Sequence, residues 1–369
     1  MKRLIFLLML ALASVPMLPL QSGAQILRDP ESLETVKQCV DNIYNFRFGE
    51  ARELLQKIKR SWPGHPVGYI LSGMITYWEN FPLLSSTPAG DSFRDDLNAC
   101  IRICGDVRNP PDYAEYLLAN LGARGLLLMY YADNDLSSEV FPLARSTWRY
   151  LRESFNYTSS YDDFYFFTGL YNYYREAYPD KHPVYKVIAI LFPKGDREKG
   201  LTELRRAAGN SIMLKAESAF FLTHIFINFE NNYERGEAPG RFLHETYRGN
   251  EQYLAIYVRN LLLLRKYDEA GDLIRIRNGS LANPFVRAEM TIFSGIIQEK
   301  KYGNLAEAQR LYNKGIADIN PYIVYGDEIA SYAYFGLSRI AGMNNDRQGK
   351  KLYRKRALEL TDYKSVTFD

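Results

Sequence analysis

The sequence has few of the residues from which enzymes build metal centres and nucleophilic sites. It contains three cysteines and four histidines in 369 residues. It has no His-Glu-x-x-His pair, no Gly-x-Ser-x-Gly turn, no phosphate-binding loop and no dinucleotide-binding glycine pattern. The adjacent acids Asp95-Asp96 and Asp162-Asp163 would point in different directions on a helix, so they make weak catalytic pairs. We therefore expect no catalytic residues, no cofactor and no metal: a protein that is not an enzyme.

The three cysteines are too few and too poorly spaced for a disulfide framework. Cys100 and Cys104 are one turn apart on a predicted helix, where a disulfide would be strained. Without a second pair of ligands they also make a poor zinc site. We expect all three to be small buried hydrophobic side chains, and a bridge from Cys39 to Cys100 or Cys104 remains open at this stage.

Positive and negative charges are nearly balanced in this chain. The chain has 46 Lys and Arg against 43 Asp and Glu. Nucleic-acid binding depends on a concentrated basic surface, so nucleic acid is not an expected partner.

The first 24 residues have the order of a secretory signal peptide. Lys2 and Arg3 precede an apolar stretch from Leu4 to Leu20, and Ser22-Gly23-Ala24 follows as a small-residue cleavage pattern. We expect cleavage after Ala24 and export across the inner membrane, most simply to the periplasm. A membrane anchor is the alternative, and no cysteine stands near the cut to carry a lipid. No later segment is apolar and long enough to predict a transmembrane span.

Pairs of helical segments recur along the rest of the chain, and the last pair is the clearest. Apolar residues at helical spacing run from Glu328 to Met343 and from Asp346 to Leu360, separated by a turn at Asn344 and Asn345. We count about eight such hairpins. A single hairpin cannot bury its apolar face alone, so hairpins must stack. With no linker to divide the chain, residues 25–369 are predicted to be one all-α domain, an α-solenoid.

The first pair carries a spacing known from one repeat class. Cys39, Ala51 and Pro63 are twelve residues apart in succession. This resembles the small, small and proline positions of the tetratricopeptide repeat, and implies a TPR-like array.

A more specific resemblance covers residues 164–206. An aromatic helix with a glycine leads through a proline and an apolar segment to Gly-Asp-Arg-Glu-x-Gly-Leu, in a pattern similar to the tetratricopeptide-repeat 39 and inclusion-body-clearance family. The matching residues are Phe167, Gly169, Leu170, Pro179, Leu191, Phe192, Gly195, Asp196, Arg197, Glu198, Gly200 and Leu201. The resemblance implies a helical-repeat fold and a non-enzymatic adaptor. Those relatives are intracellular, so their cellular roles do not carry over to a chain with an export signal.

The same segment gives local expectations. Gly169 should admit a neighbouring helix, Pro179 should end the first helix after Tyr178, and Asp196 should cap the next helix. The apolar stretch from Val184 to Phe192 should form a short helix that lies in the groove or seals its edge, since exposure would leave an aggregation-prone patch.

Aromatic residues are the chemical excess of this chain, with 29 Tyr, 20 Phe and 3 Trp. Between positions 164 and 178 they surround the whole helix, more than one buried stripe requires. With Gly169 at a close helix contact, Phe166, Tyr173 and Tyr174 should turn toward the inner surface of the superhelix. These three residues are our predicted partner-binding residues, although filling of the core explains many aromatics equally well.

The sequence thus predicts an exported scaffold or adaptor that binds a protein or peptide partner in the bacterial cell envelope. One alternative is a soluble helical glycan-binding protein of an outer-membrane import system, which would stack exposed aromatic rings on sugars. A second alternative is an enzyme with an unrecognised site, which polar groups converging in one pocket would support.

Overall fold

The computed structural model describes residues 25–106, 113–183, 186–277 and 279–369. The predicted signal peptide, residues 1–24, lies outside the described residues. Within the described ranges the regular structure is helical and contains no strand. The predicted all-α class is confirmed.

Sixteen helices longer than one turn make up the described chain. They are α1 (Pro30–Tyr44), α2 (Phe48–Ser61), α3 (Val67–Glu79), α4 (Pro88–Asp106), α5 (Tyr113–Asp133), α6 (Ser137–Ser154), α7 (Phe164–Lys181), α8 (Arg197–Asn210), α9 (Lys215–Asn228), α10 (Tyr233–Thr246), α11 (Glu251–Leu263), α12 (Tyr267–Arg277), α13 (Pro284–Lys300), α14 (Leu305–Ile319), α15 (Val324–Met343) and α16 (Arg347–Leu360). One further turn of helix spans Lys186–Ala189, and a 3-10 turn spans Asn320–Tyr322.

Consecutive helices pack as eight hairpins, from α1 with α2 to α15 with α16. First helices of successive hairpins also pack directly: α1 on α3, α3 on α5, α9 on α11, α11 on α13 and α13 on α15. Each hairpin therefore completes its core with its neighbours, which is the packing of an α-solenoid.

The turn inside a hairpin has a repeated geometry. Six of the eight turns contain one residue with positive φ: Phe46, Asp135, Asn231, Arg265, Gly303 and Asn345. In four of them the next residue donates its backbone N–H to the carbonyl five positions earlier, at 2.8 to 2.9 Å. These bonds satisfy carbonyls left free at the end of the first helix. The second and fourth hairpins depart from this geometry, and they are the two with long connections.

The fourth hairpin shows why a glycine is needed at position 169. A Cβ on Gly169 would lie 2.9 Å from Leu204 Cγ and 3.0 Å from the Gly200 carbonyl oxygen. Helices α7 and α8 therefore touch backbone to backbone, as predicted. The predicted cap is also confirmed, because the Asp196 carboxylate accepts a 3.0 Å hydrogen bond from the Lys199 N–H.

Two predictions for this hairpin were wrong. Helix α7 does not end after Tyr178 but continues to Lys181 with Pro179 inside its last turn. The proline removes only its own N–H there, and the helix end tolerates that loss.

The prediction that the apolar insertion is buried is also wrong at two positions, since Ile190 and Leu191 are 79% and 80% exposed. Phe192, by contrast, packs with its ring 5.0 Å from that of Trp148, and residues 184 and 185 lie outside the described residues. Polar contacts hold the end of the insertion instead, since Arg175 donates to the Phe192 carbonyl and Gly195 N–H donates to Glu176.

The two ends of the array meet. The ring of Tyr44 in α1 lies 6.2 Å from that of Tyr253 in α11. The ring of Phe81, after α3, lies 5.9 Å from both Phe285 and Tyr325. The first two hairpins thus pack against the sixth, seventh and eighth, and the superhelix closes on itself.

The last residues turn back over the inner side. Val366 and Phe368 are buried, and the Phe368 ring lies 5.0 Å from Tyr332. Arg339 donates a 2.6 Å hydrogen bond to the Thr367 carbonyl. The last residues therefore cover part of the surface of α15.

Candidate functional site

The three predicted partner-binding residues have different surroundings. Tyr173 is fully buried, and its hydroxyl donates to the exposed carboxylate of Glu230. Tyr174 is half-buried, with its ring 5.1 Å from that of Phe229. Phe166 is 7% exposed and lines a pocket. Their role in binding stays a prediction, and of the three residues Phe166 is the one that lines this pocket.

That pocket, here called the apolar pocket, has a volume of about 240 Å³. It lies among the first helices of the second to fifth hairpins, with α6 contributing Thr147 and Leu151. Its further lining is almost entirely apolar and comes from Ile70, Met74, Leu118, Ala119, Leu121, Gly122, Gly125, Leu126, Leu128, Met129, Phe166, Phe167, Leu170, Tyr171, Met213, Leu214 and Phe221. Among the described residues, the backbone of α7 does not approach α5 or α9 as closely as the other first helices approach one another, and rings such as Phe166 and Phe221, 5.5 Å apart, bridge α7 and α9. The pocket occupies this gap.

One carboxyl group borders the apolar pocket. Glu217 is in the first turn of α9, and its Oε2 is inaccessible and has no hydrogen-bond partner. Burial raises the pKa of Glu217 to about 8. The group is therefore protonated near neutral pH, and the pocket suits an uncharged group that can share one hydrogen bond.

The rim of the pocket is aromatic and adjoins the insertion. Tyr171 lines the pocket, and its ring lies 5.3 Å from that of Trp148. Trp148 in turn lies 5.0 Å from Phe192. Ile190 and Leu191, the exposed residues just before Phe192, extend the apolar surface away from the pocket.

Sequence reasoning found Phe166 but missed Glu217, Trp148 and Tyr171. Glu217 could have been noticed as an acid followed by ten residues that are mostly apolar, Ser218 to Ile227. Trp148 gives no such signal, because it stands in an otherwise polar stretch of α6.

The cysteines and His224 behave as buried structural groups. All three cysteines are free and buried, as expected, which leaves no bridge from Cys39. Both ring nitrogens of His224 have partners, Tyr363 Oη at 3.1 Å and Asn228 Nδ2 at 3.0 Å. Burial lowers the pKa of His224 to about 4, so it is neutral at physiological pH.

Two further features bear on cofactors and membranes. Across the described ranges, no group of three or more His, Cys, Asp and Glu is placed to hold a metal ion. In the same ranges no helix combines the length and the apolar character needed to cross a bilayer.

The chain matches no protein-family model, and no curated protein is similar to it in sequence. The resemblance of residues 164–206 to the tetratricopeptide-repeat 39 family therefore stays a prediction.

Proposed function

We propose that this protein is an exported, non-enzymatic scaffold or adaptor of the bacterial cell envelope, acting in the periplasm, and that it binds a protein or peptide partner at the apolar pocket. One observation carries the proposal: a pocket of about 240 Å³ with an apolar lining has an aromatic rim, and this rim leads through Phe192 to two aliphatic residues that are about four-fifths exposed. Apolar anchors that enter such pockets dominate the energetics of protein interfaces.

The volume and the uncharged lining of the pocket determine which partner side chain can bind in it. A cavity of about 150 Å³ lined by aliphatic and aromatic residues accepts benzene. The apolar pocket is larger, so a Phe, Leu or Met side chain of a partner fits inside it. The rim residues Trp148 and Tyr171 and the exposed Ile190 and Leu191 would then contact the partner around its anchor.

The tetratricopeptide-like character of the hairpins belongs to the same proposal. Support comes from the repeated turn and from the first hairpin, where Cys39 Sγ donates to the carbonyl of Ala51, twelve residues later, at 3.4 Å. Small residues at these two positions let the helices of one hairpin approach closely.

A glycan platform is the weaker alternative, because the rings of α7 are largely engaged with other rings. Tyr173 and Tyr174 pack edge-on against Phe229, and Tyr171 packs against Trp148. Stacking on a sugar needs a free ring face.

Filling the pocket tests the proposal without removing any core side chain. Gly125 lines the pocket on α5, and a Cβ built there meets nothing within 4 Å. Gly125 is exposed, so Gly125→Leu should place its side chain at the opening of the pocket and, by replacing a helical glycine, leave stability unchanged or raise it by up to about 1 kcal/mol. Gly209→Leu is the matched control, because Gly209 is helical, equally unobstructed and outside the pocket.

Two measurements are made on each variant. Fluorescence of the neutral probe N-phenyl-1-naphthylamine reports access to the pocket, and cross-linking in envelope extract followed by mass spectrometry reports the partner. We expect Gly125→Leu to lose both signals and Gly209→Leu to keep both. If Gly125→Leu excludes the probe yet retains the same cross-linked partner, the pocket is not the anchor site.

A further inference from the structure

A second pocket, of about 130 Å³, lies in the closed interior of the superhelix. We call it the central pocket. The first helices of the fifth to eighth hairpins, α9, α11, α13 and α15, provide nearly all of its walls. Phe81, half-buried in the connection of the second hairpin, provides the rest.

The walls of the central pocket combine aromatic rings with polar groups. The rings are Phe81, Phe220, Phe285, Phe293 and Tyr325. The polar groups are His224, Gln252, Arg259, Glu289 and Glu328. Helical spacing explains the mixture on α13, where Phe285, Glu289 and Phe293 follow one another at intervals of four and share a face.

One acid in the central pocket has no counter-charge of its own. Arg259 Nη1 donates to Glu328 Oε1 at 2.8 Å, and Tyr332 completes this group by accepting from Arg259 at 3.1 Å. His224 is held neutral by burial, as described above. Glu289 remains, 2% exposed, with its Oε2 buried and without a partner.

A second acceptor without a partner belongs to the same wall. The side-chain oxygen of Gln252 is buried and accepts no hydrogen bond. Buried polar atoms in folded proteins nearly always have a partner. When Glu289 is ionised, both atoms are acceptors without a donor, which points to a ligand that donates hydrogen bonds.

We propose that the central pocket binds a small organic ammonium ion, with the N–H groups donating to Glu289 and Gln252 and the alkyl part lying against the aromatic rings. The site is independent of the apolar pocket and of the proposed partner binding. Cations bind favourably over aromatic faces, and more so where water is excluded. The volume limits the ligand to about six non-hydrogen atoms, since a cavity of about 150 Å³ holds one benzene.

The titration behaviour of the acid agrees with this assignment. Burial raises the pKa of Glu289 to about 8, against the opposing influence of Arg259 and of the neighbouring Gln252 side chain. Arg259, Glu328, His224 and Tyr325 are the other titratable groups that line the pocket. A bound ammonium ion would stabilise the ionised carboxylate, so binding should release a proton below about pH 8.

The experiment is calorimetric titration of the full chain with propylammonium chloride, and with propan-1-ol as the uncharged ligand of similar size. Concentrations should reach about 10 mM, because a ligand of four non-hydrogen atoms has little area for tighter binding. Glu289→Gln keeps the shape of the side chain and removes its charge. Glu53→Gln is the control for the change of charge, since Glu53 is exposed and lies outside both pockets.

We expect propylammonium to bind the natural chain and Glu53→Gln with equal affinity and with proton release at pH 7. Glu289→Gln should bind at least about tenfold more weakly, and propan-1-ol should not bind. Thermal melts of all three proteins confirm that each is folded. Equal binding by Glu289→Gln, equal binding of propan-1-ol, or no binding of propylammonium at the highest concentration would each overturn the proposal. The absence of binding by either ligand would assign the pocket to ordered water.

Discussion

The hydroxyl of Tyr325 donates a 3.1 Å hydrogen bond to the carbonyl of Leu83, 242 residues earlier in the chain. Asn283 likewise donates a 2.8 Å hydrogen bond to the carbonyl of Phe81. These contacts join the second hairpin to the seventh and eighth. In an open repeat array each unit contacts only its neighbours, whereas here the ends of the array stabilise each other.

Replacement of Phe81 by Ala should therefore weaken distant hairpins. Its ring contacts Phe285 and Tyr325, and loss of this half-buried aromatic side chain should cost about 2 to 4 kcal/mol. Urea unfolding measures the total loss, and hydrogen exchange locates it. We expect faster exchange in α13 and α15 as well as in α3 and α4.

Phe141→Ala is the control for Phe81→Ala, because Phe141 is 68% exposed and should change stability by less than about 0.5 kcal/mol. Faster exchange confined to the second hairpin would show that closure of the superhelix adds no stability.

Substitution of Tyr173 should lower the free energy of unfolding rather than remove a direct contact with the partner. Its side chain is fully buried, so Tyr173→Ala should cost about 3 to 5 kcal/mol. Tyr173→Phe removes only the hydrogen bond to Glu230 and should cost about 0.5 to 1.5 kcal/mol. Chemical unfolding of both variants separates the ring from the hydroxyl. A Tyr173→Ala protein that melts normally but loses its partner would restore Tyr173 as a direct contact.

Stability should fall as pH rises through the neutral range because of buried carboxyl groups. The pKa of Glu289 is about 8 in the folded chain, against an ordinary value of 4.5. Between these values the folded chain keeps a proton that the unfolded chain releases, so the contribution is complete below about pH 4.5 and is lost by about pH 8. The slope for one such group is at most about 1.4 kcal/mol per pH unit.

Urea unfolding at several pH values between about 5 and 8 tests this prediction. Glu289→Gln should be increasingly more stable than the natural chain as pH rises, whereas the difference for Glu53→Gln, at an exposed position, should not change with pH. A constant difference for Glu289→Gln would mean that Glu289 does not titrate in this range.

The hairpins were predictable because each one carries its own signals. Apolar residues at helical spacing define the helices, and turns such as Asn344-Asn345 separate them. The closure was not predictable, because contact between Tyr44 and Tyr253 depends on the small rotation between every pair of successive hairpins. No local sequence pattern determines the total rotation over all the hairpins.

The candidate site was predictable only in part, and α7 shows why. Its aromatic residues cover every side of the helix, so periodicity could not separate Tyr173, in the core, from Phe166, at the pocket. The exposure of Ile190 and Leu191 was missed for another reason. Their apolar character, which the sequence shows, predicts burial. The insertion is held instead by polar contacts of Arg175 and Glu176, which are tertiary contacts that no local sequence pattern reveals.

The exposed pair on the insertion should contribute to partner binding and little to stability. Ile190 and Leu191 are about four-fifths exposed, so Ile190→Ser with Leu191→Ser should change the free energy of unfolding by less than about 0.5 kcal/mol. If the partner covers Ile190 and Leu191, the double variant no longer buries these two aliphatic side chains in the complex. The free energy of binding should therefore weaken by roughly 2 to 4 kcal/mol in total. Partner retention from envelope extract, compared with the thermal melt, measures both effects.

The matched control for this double variant is Ile276→Ser with Leu352→Ser. These residues are 66% and 63% exposed, on α12 and α16, and neither lines the apolar pocket. We expect the control to bind the partner as the natural chain does, because an exposed aliphatic residue contributes to affinity only where an interface covers it. Equal loss of binding in the two double variants would assign the effect to general surface hydrophobicity, and unchanged binding in both would remove the insertion from the partner surface.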